Sequence, residues 1–358
     1  MTEASQLPNP PERGVRPTAR GAWVARWLLA RLVVLTWVYA TALAGLLFVR
    51  CVYGDRAWWA FALNALLLYA FLPLPLVPAV ALAARRREAW LIFAAGAAFW
   101  AWQWGGLFLP RAPVAHAGGP TLTVMSYNVL GYNFATAAVL DVIRAADADI
   151  VALQELNPLN AAAIERELKE RYPYQILDPR PGVSGAGVLS RYPVRVTGET
   201  VPDDAWVSPP HVLEVEVAGR TLTLVRFHAI ANPANWAPRN RQARRLAEFA
   251  GAHRPGPLIL IGDLNATDQN EAYALVTGQL RDAWREAGWG FGHTFPGEPT
   301  EAAGGSRPAF AGIAVPMWLV RIDYVFHSDA LVALDARLGP YDGASDHRPL
   351  IADLLLKP

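Results

Sequence analysis

Three long apolar runs in the first 110 residues limit what this chain can become. Trp27 to Val49 carries one charge, Arg31, close to its start; residues 57–84 and 89–110 carry none. Each run reaches the roughly 20 residues needed to cross a hydrocarbon core about 30 Å thick. Tryptophans cluster near the ends (Trp23, Trp27, Trp58, Trp59, Trp90, Trp102, Trp104), where interfacial aromatics sit. The alternative, buried helices of a soluble protein, has difficulty hiding three such runs in succession. The runs therefore predict transmembrane helices over about 27–49, 58–82 and 89–109. Pro73, Pro75 and Pro78 predict a kink or a broken end in the second. The first run is longer than the apolar region of a signal peptide and two more follow, so it reads as an uncleaved anchor.

Charge gives an orientation. Through residue 110 the chain has ten arginines against four acids, a net +6; the remainder has 22 basic and 27 acidic residues, a net −5. Arg13, Arg16, Arg20 and Arg26 precede the first run, Arg50 and Arg56 with Asp55 follow it, and Arg85, Arg86 and Arg87 precede the third. Short arginine-rich flanks stay in the cytoplasm. That places the basic segment 1–26 and the second loop inside, and everything after Pro110 outside the cell membrane. A part at −5 does not grip nucleic acid through its net field, because that affinity comes from Lys and Arg neutralising phosphates. The lone Cys51 excludes a disulfide within the chain. Residues 111–120, with Pro113, Gly118, Gly119 and Pro120, read as a linker.

From residue 121 strand-like and helix-like segments alternate. Leu122–Val129, Asp149–Glu155, Gly187–Ser190, Val212–Val217, Thr221–His228, Leu258–Gly262, Arg321–His327 and Pro349–Leu356 read as strands. Ala135–Ala146, Pro158–Arg171 and Pro238–His253 read as helices. Ala218-Gly219-Arg220 is a hairpin turn. Mixed strands with helices on both sides imply a layered α/β sandwich.

The strands end in polar residues. Gly262-Asp263-Leu264-Asn265 follows the apolar run Leu258–Ile261, and alternation puts Asp263 and Asn265 on one face at the carboxyl end of a strand. Asn128, Glu155, His228, Asp323, Asp346 and His347 occupy comparable places. Each has a plainer reading: Asn128 as a turn former, Glu155 as a carboxylate at a helix start, His228 as a satisfied core histidine, Asp323 as a partner of Arg321. Together these plainer readings fail, because buried carboxylates and amides need partners. A hard divalent cation is the economical one, since magnesium takes oxygen ligands; Glu155 with Asn128 beside it fits.

Ser126-Tyr127-Asn128, Leu153-Gln154-Glu155, Gly187-Val188-Leu189-Ser190-Arg191-Tyr192-Pro193, Gly262-Asp263-Leu264-Asn265, Arg321-Ile322-Asp323-Tyr324 and Ser345-Asp346-His347-Arg348-Pro349-Leu350 resemble, in order, the signature blocks of the endonuclease/exonuclease/phosphatase superfamily. That group includes deoxyribonuclease I, the AP endonucleases, neutral sphingomyelinases and inositol polyphosphate 5-phosphatases. The resemblance spans about 121–356. It implies a four-layer α/β sandwich, two mixed sheets flanked by helices, over residues 121–358.

It also implies roles. Glu155 corresponds to the main metal ligand (Mg²⁺ or Mn²⁺), with Asn128 beside it and Asp346 as a further metal-side carboxylate. Asp263 and Asn265 correspond to the pair that positions the nucleophilic water and the phosphate. His347 corresponds to the histidine at the scissile phosphate, oriented by Asp323. His228 corresponds to the second, substrate-side histidine of the nuclease and sphingomyelinase branches, which AP endonucleases lack; a carboxylate partner for it has no match in the sequence. The implied activity is metal- and histidine-assisted hydrolysis of a phosphodiester, either a lipid headgroup or extracellular nucleic acid. A phosphomonoesterase of the same fold and an inactive membrane-bound scaffold are the alternatives. The apolar part of the loop Pro296–Trp318 is either a lip over the site or packing on the domain.

Overall fold

The computed structural model describes residues 19–110, 118–300, 307–310, 312–341 and 343–358. The basic leader up to residue 18, linker residues 111–117, and positions 301–306 and 311 of the loop Pro296–Trp318 lie outside the described residues.

Among the described residues, three helical stretches are long and apolar enough to cross a membrane: Trp23–Tyr53, Leu67–Ala84 and Arg87–Phe108. The first belongs to one helix, α1 (Ala19–Tyr53), and the third is largely α4 (Arg87–Trp104). The expected second helix over 58–82 is not continuous. Trp58–Ala65 is a separate helix (α2), followed by 3₁₀ turns at Leu67–Phe71 and Leu74–Leu76 and then α3 (Val77–Ala84). Pro73, Pro75 and Pro78 account for the irregular stretch between Phe71 and α3, since a proline has no amide to donate to a helical ladder; the break after Ala65 lies upstream of them.

The chain forms two compact units: residues up to Gly45 with Phe71–Phe99, and Leu46–Ala70 with Trp100–Pro358. In the first, Phe71 and Phe99 stack at 5.5 Å. The second holds two six-stranded sheets. Sheet one has β1 (Thr121–Asn128), β2 (Ile150–Gln154), β3 (Tyr174–Asp178), β4 (Ala186–Ser190), β13 (Leu331–Leu338) and β14 (Leu350–Leu356), in the order β13-β14-β1-β2-β4-β3. Sheet two has β5 (Val194–Val196), β6 (Ser208–Val217), β7 (Arg220–His228), β8 (Leu258–Asp263), β9 (Arg281–Asp282) and β12 (Asp323–His327), in the order β5-β6-β7-β8-β12-β9. A two-residue pair, β10 (Ala309–Phe310) with β11 (Ile313–Ala314), stands apart. β1 and β2 run parallel, as do β7 and β8; their neighbours are antiparallel. The hairpin joining β6 to β7 turns at Ala218 and Gly219, both at positive φ, as a two-residue turn requires.

Alternation along the strands sorts side chains between a helix-facing core and the face between the sheets. Met125 and Tyr127 of β1 pack with Val139 and Ile143 of α5 (Thr136–Ala146) and Ile164 of α6 (Pro158–Glu167). Val225 and Phe227 of β7 and Leu258 and Leu260 of β8 pack with Leu246 of α7 (Trp236–His253) and Val276 of α8 (Glu271–Thr277). The opposite set of residues, ending in Asn128, His228 and Asp263, therefore lies between the sheets, where β1 meets β8 and β12. Two mixed sheets with helices outside are the four-layer sandwich implied by the sequence.

Candidate active site

All the polar strand-end residues singled out in the sequence lie at one end of the sandwich. Parallel pairing puts the ends of β1 and β2 side by side, and likewise those of β7 and β8; His228 sits opposite Asp263 in register. Antiparallel β12 starts where β8 stops, so Asp323 pairs with Asp263. Gly262 makes this possible, for a Cβ there would lie 2.0 Å from the Phe227 carbonyl oxygen.

Glu155 leaves β2 at a left-handed φ of 58°, a conformation that costs a non-glycine residue free energy and clusters at functional sites. The twist brings its carboxylate under β1. Oε1 accepts from Asn128 Nδ2 at 3.0 Å and Oε2 from the Gly131 amide at 2.8 Å. Gly131 runs so close to Gly182 that a Cβ would sit 2.1 Å from its carbonyl oxygen. Asn128 Nδ2 also reaches Asp263 Oδ2 at 3.3 Å, linking the two sheets. Glu155 is not the helix-start carboxylate: Asn157 caps α6, accepting from the Asn160 amide at 2.9 Å.

Across the cleft, His347 Nδ1 lies 2.8 Å from Asp323 Oδ2, and its Nε2 faces Asp263 Oδ2 at 3.9 Å. Arg321 is not the partner of Asp323; its guanidinium is held by Asp282 at 2.8 and 3.2 Å. Ser345 ties the dyad to β1, since its hydroxyl donates to the Asn128 carbonyl at 2.7 Å and accepts the His347 amide at 3.0 Å. The Thr294 hydroxyl receives the Ile322 and Asp323 amides at 3.2 and 3.4 Å. Asn265, at φ 51°, turns its amide back to Asp263 Oδ1 at 2.7 Å and donates from Nδ2 to the Ala229 carbonyl at 3.0 Å. The positioning roles of Ser345, Thr294 and Gly131 escape sequence reading. Ser345 borders the Asp346-His347 pair, which was the one available signal.

The two histidines differ. Burial opposes protonation of His347, but the Asp323 charge and hydrogen bond, with Asp346 and Asp263, hold its pKa up to about 10. Burial, then the Arg226 charge, pushes His228 down to about 3. His347 is thus an imidazolium at neutral pH and His228 a neutral ring. His228 Nε2 stands 3.6 Å from Asp263 Oδ2 and 3.9 Å from Glu155 Oε1, and its buried Nδ1 has no hydrogen-bond partner. Burial raises the pKa of Glu155, and the Asp346 charge adds to it. Burial and the Asp323 charge likewise raise Asp263.

These raised carboxylates bear on a metal. Among the described residues the only ion-pair partners of Glu155 and Asp263 are the two histidines. Oxygen donors gathered with no Lys or Arg among those ion-pair partners fit a hard cation. Asp263, Asp323 and His347 also bring one ligand-type atom each within 4.8 Å of one another. Part of that closeness is the hydrogen bond between His347 Nδ1 and Asp323.

A two-sheet sandwich with carboxylates, an asparagine pair and an aspartate-held histidine at one end is a phosphoesterase fold with a candidate metal site. The chain belongs to the Endonuclease/Exonuclease/phosphatase family, whose pattern matches residues 125–347, more than half of its length. Among solved structures it is similar to truncated Caenorhabditis elegans TDP2 (19% identity, TM-score 0.52, 66% of this chain and 98% of that one). It is also similar to D. rerio TDP2 complexed with a single-strand DNA product (20% identity, TM-score 0.51, 65% and 98%). The human Nocturnin catalytic domain is more distant (19% identity, TM-score 0.48, 66% and 95%). No curated protein matches the chain. At these identities the structural likenesses speak for the fold.

Proposed function

We propose that this protein is a membrane-anchored, divalent-metal-dependent phosphoesterase that hydrolyses a phosphodiester by attack of water. The observation that carries the reading is the line Asp323–His347–Asp263, with Nδ1 2.8 Å from one carboxylate and Nε2 turned to the other, facing the Glu155–Asn128 pair across the cleft. Glu155, Asn128 and Asp346 would hold Mg²⁺ or Mn²⁺, which would supply positive charge for the phosphoryl oxygens. Asp263 orients the attacking water and takes its proton, steadied by the Asn265 amide. The His347 imidazolium, kept charged by Asp323, donates toward the phosphate and stabilises the developing negative charge. Neutral His228, whose Nδ1 has no hydrogen-bond partner among the described residues, contacts the substrate as a hydrogen-bonding group.

Two observations support an anchored domain outside the cytoplasm. Arginines flank the first and third runs on one side. Residues 46–70 pack in the same unit as 100–358, so the first loop and the catalytic domain share a side. The test uses the full chain in detergent, with bis(p-nitrophenyl) phosphate and p-nitrophenyl phosphate, each with Mg²⁺ or with EDTA. Mg²⁺-dependent turnover of the diester ahead of the monoester is expected. Turnover that survives EDTA and metal-free dialysis would remove the metal from the account.

A further inference from the structure

Among the described residues, several attachments of residues 46–70 and 100–108 to the catalytic sandwich are made at the end that carries the site; Gln103 is held separately, its carbonyl accepting from Arg285 beside the β9 edge at 2.9 Å. Arg50 Nη1 donates to the Gln269 carbonyl at 2.5 Å, in the loop after β8. Asp55, 1% exposed, accepts the Glu271 amide at 2.6 Å and Asn64 Nδ2 at 2.7 Å. α2 lies against the 3₁₀ turn Pro233–Asn235, which follows His228. The Tyr69 hydroxyl donates to the Leu319 carbonyl at 2.5 Å, four residues before Asp323. Leu107 accepts the Gly290 amide at 2.8 Å.

The same end carries exposed aromatic side chains. Tyr132 (58% exposed) and Phe134 (63%) stand on the loop after Asn128. Trp289 (71%) stands beside Phe108, ring centroids 5.6 Å apart. Exposed tryptophan where an apolar helix ends marks a membrane–water interface. Trp289 beside such a helix end, with Tyr132 and Phe134 exposed on the loop after Asn128, has one surface of matching chemistry at hand, the bilayer in which those helices end.

Resting on the phosphoesterase reading, we propose that the catalytic end of the sandwich lies against the bilayer, with Tyr132, Phe134 and Trp289 at the headgroup level, and that the substrate is a phosphodiester headgroup presented by a membrane lipid. A bilayer-facing mouth favours a substrate already in the membrane and hinders entry of a long duplex. The net −5 of the chain after residue 110 points the same way, because a polyanion gains nothing from it.

Two measurements on the full chain reconstituted in vesicles test this. The first is independent of activity. Cys51, the only cysteine, is replaced (Cys51→Ser), and a polarity-sensitive fluorophore is placed at Phe134→Cys or at Lys169→Cys, an exposed residue at the opposite end between α6 and β3. Brominated lipids should quench the label at 134 several-fold more than the label at 169; equal quenching overturns the orientation. The second compares three substrates in Mg²⁺: bis(p-nitrophenyl) phosphate, plasmid DNA, and vesicles of phosphatidylglycerol, phosphatidylethanolamine and sphingomyelin. Headgroup release from vesicles together with slow attack on DNA is expected. Turnover of the soluble diester or of DNA with every vesicle lipid left intact defeats the lipid proposal but keeps the phosphoesterase reading. Inactivity on all three defeats that reading itself, while the quenching result still reports the orientation.

Discussion

Replacing Asp323 by asparagine keeps the shape of the His347 partner and removes its charge. His347 is held from an ordinary 6.5 up to about 10, a difference worth about 5 kcal/mol in favour of the imidazolium. The pair itself is a large contributor: unit charges 2.8 Å apart in an effective dielectric of about 20 attract by about 6 kcal/mol, burial opposing that gain and Asp346 and Asp263 adding to it. Without that charge burial dominates, and burial lowers the pKa of His347. In Asp323→Asn the ring should therefore be neutral at pH 7. The sign follows: the wild-type histidine stays protonated until pH approaches 10, whereas the variant loses its proton as pH rises through values below 6.5. The assay is kcat/KM for bis(p-nitrophenyl) phosphate between pH 5 and 10 at saturating Mg²⁺. The variant should lose about 10²-fold or more at pH 7, the usual scale for an acid–base group. It should recover part of that loss toward pH 5. A variant slower by the same factor at every pH would refute the claim that Asp323 sets the charge of His347. The double variant Asp323→Asn/His347→Ala should be little worse than His347→Ala, since two residues acting as one unit are non-additive.

Two further outcomes concern stability. Phe61 is buried in the second core and lies 4.4 Å beneath the Arg239 guanidinium, so Phe61→Ala should cost about 3–5 kcal/mol, read as a drop in thermal midpoint in detergent. A chain cut at residue 110 should be destabilised for the same reason, and an unchanged midpoint for that fragment would contradict the packing of residues 46–70. Burial, then the Arg226 charge, lowers His211 to about 4, so the unfolded chain binds the extra proton between about pH 6.5 and 4. Stability should fall as pH drops through that window, by at most about 3 kcal/mol from this residue; His211→Gln should lose less between pH 7 and 5 than the wild type, and equal losses would clear His211.

Much of the sandwich was legible because its inner strands are continuous apolar runs or clean alternations with polar residues at their ends. Less regular elements were not. In β13 a bulge between Ala333 and Asp335 breaks the period of two. In β6, Pro209 and Pro210 sit at another irregularity and hide the first residues of the strand. β5 has three residues and the helix Ala283–Ala287 five, too few to show a period. The site residues were legible singly because most lie at or beside the end of an apolar strand: Asn128, His228 and Asp263 close one, Glu155 follows one and Asp323 opens one. The difference between the histidines was not, since the Arg226 charge and the missing Nδ1 partner of His228 exist only in three dimensions. The break at residue 66 was hidden for another reason: the Phe61 side chain meets protein, yet a protein core and lipid tails are equally apolar, so composition alone joins 58–82 into one span.

The central claim is that the Glu155 face holds a divalent cation, and Mn²⁺ binding tests it most directly. Titration of the full chain in detergent, followed by electron paramagnetic resonance of free Mn²⁺, should show saturable binding that Mg²⁺ displaces. Glu155→Gln, which keeps the Asn128 and Gly131 contacts within reach but replaces a carboxylate by an amide, should weaken that binding at least tenfold while its circular dichroism and thermal midpoint stay near wild type. Equal Mn²⁺ affinity in the two proteins would contradict the account.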